Sequence, residues 1–304
     1  MRGRRSLLAA GFATLLLAGA SAAPAGERPH YAVAPPYVAP LRIPARPHPG
    51  PVRGCTRPSS ACVLTEVRRL HAREVALGCD HRAVFATTYR VLTQAALRTV
   101  RRHPRFFSYP RYFYFEDALF ADVYFANSRA WERGKRVSPA WQIAFEAARD
   151  GDQNAGQDML LGINAHVQND MPFVMAALST HTMRGLSRHH DHELMNRVLA
   201  RAYRPVVDTV RRRYDASMKV TNPDGVPVDD KAGMALVKRW RDDVWRNANR
   251  LIRARSAAER RSVTRQIEQN AADTATEIAT LQVPGYRAQR DAYCAAHNPD
   301  ARAR

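Results

Sequence analysis

The segment LLGINAHVQNDMPFVMAAL, residues 160–178, decides the architecture. Amphipathic helices keep charge on one side, but here apolar residues fall on nearly every side of a helical projection, which marks the central helix of a bundle. Its polar members, Asn164, His166, Asn169 and Asp170, therefore need partners. At about 100° per residue, His166 and Asp170 lie roughly 40° apart and share a face with Met159, Ile163, Phe173 and Val174. Both should point into the core. Pro172 supplies no backbone donor, so a kink is expected beside them.

A buried carboxylate without a partner costs several kcal/mol, at about that order. Three arrangements would compensate Asp170. His166 pairs with it in a structural network supported by Asn164; an arginine arrives from a neighbouring helix; or a metal takes both residues, since imidazole and carboxylate at i and i+4 are ordinary ligands. Five of the eleven histidines lie between His166 and His192. In the next helix Asp191 falls on the apolar stripe of Leu194, Met195, Val198 and Ala202, so it should face inward or offset the helix dipole. A convergent metal site would then comprise His166, Asp170, Asp191 and His190, with His181 as an alternative to His190. Asp191 or Glu193 would serve as base for a metal-activated water; the metal's identity is not specified by the sequence, with zinc or manganese both compatible. Periodicity turns His189 and Glu193 outward.

Helical periodicity extends on both sides of this segment. Helices are expected over Leu64–Leu77, Arg82–Arg101, Phe115–Arg133, Pro139–Arg149 (Ser138 as N-cap), Gln157–Leu178, Arg188–Met218 around Pro205, Val228–Ala254 and Ser256–Leu281. Asn222-Pro223-Asp224-Gly225 reads as a turn. The expectation is an all-α fold: one bundle of seven to eight helices over residues 63–304. Residues 23–62 form a proline-rich lead; Pro24 to Pro58 holds ten of nineteen prolines and too few large aliphatics for a core.

Residues 1–22 have the form of an export signal: Arg2, Arg4 and Arg5, an apolar Leu7–Leu17, then Ala20-Ser21-Ala22 as the cleavage site. Arg4-Arg5 loosely fits a twin-arginine signal. The chain is thus expected outside the cytoplasm, where four cysteines favour disulfides. Three pairings are open. Cys55–Cys62 with Cys79–Cys294 is preferred because the second closes a loop of more than 200 residues and constrains the unfolded chain most. A cysteine zinc site lacks the paired CxxC spacing.

The formal charge is +19, with only four lysines among forty-seven basic residues. Arg197/Arg201/Arg204 and Arg246/Arg250/Arg253 recur at helical spacing and would attract an anionic envelope component or phospholipid; the arginine bias throughout the chain equally suits plain solvated faces. Aromatics do not interleave with these arginines, so a nucleic-acid platform is not supported. Five of the seven residues Tyr109–Phe115, all but Pro110 and Arg111, are aromatic, suiting core packing or a groove wall. Serine hydrolase, kinase and dehydrogenase signatures do not occur.

The core Leu161-Gly162-Ile163-Asn164-Ala165-His166-Val167-Gln168-Asn169-Asp170-Met171-Pro172, with Asp80–Phe85 and Asp191–Asn196, resembles a bacterial family of helical proteins known only as a domain of unknown function. That resemblance spans roughly Cys79 to Leu251 and implies no activity. A fainter one runs to the zinc-dependent phospholipase C and S1/P1 nuclease superfamily, whose His-x3-Asp and His-x3-Glu order is matched by His166/Asp170 and His189/Glu193. It implies a zinc-dependent phosphodiesterase. That superfamily also ligates metal through its mature N-terminus, where this chain has the proline-rich lead. Two readings stay open: an exported metal-dependent hydrolase, or a non-catalytic envelope-associated helical binding or structural protein whose His/Asp cluster is structural.

Overall fold

The computed structural model describes residues 39–45, 47, 49–218, 230–279 and 285–303. The signal-like residues 1–22, much of the lead and the Asn222–Gly225 turn lie outside them. The fold is all-α. In chain order the helices are α1 (Ser60–Leu77), α2 (Arg82–Arg102), α3 (Pro110–Glu132), α4 (Pro139–Asp150), α5 (Ala155–Asn164), a π-helical turn (Ala165–Asp170), α6 (Met171–Leu178), α7 (His189–Tyr214), α8 (Asp230–Arg253), α9 (Ala257–Ala279) and α10 (Tyr286–His297).

Local chemistry sets most boundaries. The Ser59 hydroxyl caps α1 by accepting from Ala61 N–H, and Gly78 ends it at φ 58°. Asn154 and Gln157 form a reciprocal capping box at the start of α5. Pro139 opens α4 as expected, but the Ser138 hydroxyl makes no capping bond there. Helix α3 starts five residues before the expected Phe115, with Pro110 in its first turn, so the aromatic cluster belongs to the helix. Helix α7 continues through Pro205 to Tyr214, and α10 was not anticipated.

The run α5, π turn, α6 is the axis of the bundle. It packs against α2, α3, α4, α8 and α9, which is why its sequence is apolar all round. Around it α1 lies along α2, α2 along α7, α4 along α9 and α6 along α8. Trp141, Phe145, Tyr124, Leu161 and Ile278 centre one large cluster.

Part of the lead packs on the bundle. Ile43 is buried against Phe173, Leu251 and Ile267, and Leu41 packs beside it. Both preferred disulfides are present, Cys55–Cys62 and Cys79–Cys294. These bridges are compatible with an exported protein. Among the described residues no helix is long and apolar enough to cross a membrane.

Candidate ligand cavity

The axial helix changes register where the sequence places His166 and Asp170. Over Ala165–Asp170 the backbone is π-helical: Met171 N–H donates to the His166 carbonyl five residues back. Pro172, which has no N–H, follows immediately. His166 is 2% exposed and Asp170 fully buried. His166 Nδ1 lies 3.0 Å from Asp170 Oδ2, which also accepts from Trp141 Nε1 at 2.8 Å, while Asp170 Oδ1 accepts from Asn169 Nδ2 at 2.8 Å. Because a carboxylate oxygen can only accept, the imidazole proton belongs on Nδ1 and the lone pair on Nε2. Burial lowers the His166 pKa, against the opposing pull of Asp170. The ring stacks on Phe120 at 3.5 Å between centroids. Asn164 does not support the pair; it donates to the Ala271 carbonyl and so ties the axis to α9.

Asp191 has a different task. Its two oxygens accept from the backbone N–H groups of Ser108 and Tyr109, each at 2.7 Å, just before α3 begins. It faces inward as the periodicity suggested, yet its lone pairs anchor a loop. His190 is exposed, and Glu193 sits part-exposed 4.0 Å from exposed His189. The expected convergence of His166, Asp170, Asp191 and His190 is therefore not assembled. Among the described residues no group of three or more His, Cys, Asp or Glu side chains could hold a metal ion. Both Asp170 oxygens and His166 Nδ1 are already engaged, so the pair fits zinc poorly. The outer position of His189 and Glu193 gives no support to the phospholipase C or nuclease likeness.

What His166 does line is a cavity of about 140 Å³ between α2, α3, the axial helix, α7 and α8. Its walls are almost wholly apolar, including Phe85, Leu92, Phe113, Phe120, Ile163 and Leu199. Polar residues punctuate them. Tyr89 Oη, Thr93 Oγ1, Asp117 Oδ2 and His166 Nε2 are buried without a hydrogen-bond partner among the described residues, and all four residues line this one space. Burial, then Glu66 and Glu116, pushes the Asp117 carboxyl well above the usual carboxylate range, favouring the neutral acid.

At the α7–α8 side stands Arg241, 3% exposed. Its Nε donates to Asn196 Oδ1 at 2.7 Å and its Nη2 to the His192 carbonyl and to His192 Nδ1. His192 Nε2 in turn donates to the Arg241 carbonyl at 2.9 Å, so this histidine is neutral with its proton on Nε2. Burial, then the Arg241 charge, holds its pKa well below the usual value. Sequence reasoning named His190 where His192 is the interior residue. Arg241 was also missed, although Val237, Trp240, Val244, Ala248 and Leu251 define a buried stripe on which it falls. Asp117 likewise lies four residues from Phe113 and from Ala121, both buried. A charged residue on an apolar stripe was the available signal in each case.

Fold and cavity thus define an all-α bundle with an apolar cavity between its helices. The chain belongs to the family of unknown function DUF5995, whose sequence profile matches residues 63–281. No curated protein and no solved structure matches it.

Proposed function

We infer that this protein is not catalytic but binds a small apolar or amphiphilic molecule inside the bundle. The cavity carries this reading. It offers about 140 Å³ of space between the helices, lined almost wholly by apolar side chains. Space of this size with apolar walls accepts a benzene-sized guest, so an aromatic ring or a medium-length alkyl chain is the fitting class. The His166–Asp170 pair then acts structurally, holding the π turn against α3 and α4. The basic stripes on α7 and α8 are exposed, which suits solvation and weak attraction to anionic envelope surfaces.

Thermal unfolding with medium-chain ligands tests this. Saturating octan-1-ol should raise the melting temperature of the wild type, because a ligand at 100 times its Kd adds about 2.7 kcal/mol. Ala96→Phe, which fills the chamber from α2, should abolish the rise. No shift with any alcohol or acid of this length would sink the reading. Zinc-dependent turnover of a phosphodiester, lost in His166→Ala, would favour the hydrolase instead.

A further inference from the structure

We propose that the ligand is an oxyanion-headed amphiphile, its head held by the Nη1 end of Arg241 and its tail in the apolar chamber; this rests on the binding reading above. Arg241 is a buried cation with no carboxylate within ion-pair distance among the described residues. The salt bridges nearby go elsewhere: Arg188 Nη2 pairs with Glu116 Oε2 at 2.6 Å, and Asp191 is held by two backbone N–H groups. Three of the four hydrogen bonds from the Arg241 fork end on Asn196 and His192, which are neutral, while Nη1 meets only the Met171 thioether at 3.7 Å. A thioether is a weak acceptor, and an unpaired buried guanidinium is costly.

The surroundings extend the argument. A second space of about 20 Å³ adjoins the chamber, sharing Phe113, Glu116, Met195 and Arg241 with it and adding Arg188, Asp191 and His192. That is room for about one water or one ligand oxygen. Arg188 Nε, buried at this end, also has no partner. Arg241 stands where the apolar chamber meets this polar recess, so a single molecule with a charged end and a greasy body matches both. A planar guanidinium edge suits carboxylate and phosphate alike.

Calorimetric titration of the wild type with octanoate, octyl phosphate, octan-1-ol and octyltrimethylammonium tests the proposal. An oxyanion head should bind about 10- to 100-fold more tightly than the alcohol, as a charge-assisted hydrogen bond allows. Whichever of octanoate and octyl phosphate binds more tightly identifies the head. Arg241→Met, with folding checked by circular dichroism, should erase that preference while keeping alcohol affinity; Arg241→Lys should keep part of it. Equal affinity for acid and alcohol in the wild type, preference for the ammonium, or unchanged octanoate binding in Arg241→Met would overturn it and leave the cavity reading intact. Should no amphiphile of any head group bind, the cavity reading falls and this proposal with it.

Discussion

A carboxylate buried as completely as Asp170 persists because three donors, from Trp141, His166 and Asn169, converge on its two oxygens. Removing it orphans all three in a dry interior. Asp170→Ala should therefore cost about 3–5 kcal/mol, read from denaturant unfolding, and a loss near zero would refute the structural role. Glu268 shows the opposite situation, with both oxygens unpartnered among the described residues. Burial, then Asp170, raises its pKa to about 8. The native state thus holds a proton that the unfolded chain releases above about pH 4.5, so this group makes stability fall as pH rises from about 4.5 to about 8. Glu268→Gln should melt several degrees above the wild type at pH 8 and close to it at pH 5; equal melting at both would contradict the assignment. Glu66, raised to about 7, contributes with the same sign, and His192, with its lowered pKa, with the opposite one. The pairing of His166 with Asp170 was legible from their spacing. Their partner Trp141 was not, because it comes from a helix whose docking angle no local pattern encodes.

The element that matters most is the axial helix, and its fit depends on one small residue. A Cβ at Gly162 would stand 2.3 Å from the Phe85 ring, so α5 approaches α2 only because glycine is there. Gly162→Ala should destabilise by roughly 1–2 kcal/mol despite the better helix propensity of alanine, since overpacking outweighs it. A gain in melting temperature would show that Phe85 yields freely. Periodicity exposed most helices here, with ends shifted by a few residues. It exposed neither the π turn, which depends on i to i−5 bonding that a 3.6-residue pattern cannot report, nor α10, whose few apolar positions gave little signal. It also placed Asp191 facing inward, without showing that its oxygens meet the backbone N–H groups of Ser108 and Tyr109. Whether a lone pair meets a metal or an amide is settled by the loop that leads into α3, not by the helix carrying the carboxylate.

At the scale of the molecule, Cys79–Cys294 ties α10 to the junction of α1 and α2 across 215 residues. Loop-closure entropy for that length makes the bridge worth about 5 kcal/mol in the chain-entropy account. The double Cys79→Ser, Cys294→Ser chain should lose stability of that order, with a loss under about 1 kcal/mol contradicting the entropic view. The all-α class followed from periodicity, and the bridging pattern from preferring, among three open pairings, the one that combines a local loop with a long-range bridge. The chamber did not, since a cavity arises from how five helices fail to fill the space between them, and no single helix records it. That chamber is the centre of the functional account, and its most direct test is crystallographic. Crystals grown with 8-bromo-octanoate should give an anomalous bromine peak among Phe120, Ile163 and Leu92, with the carboxylate at Arg241. A chamber that collapses, or bromine found only on the surface, would contradict the account.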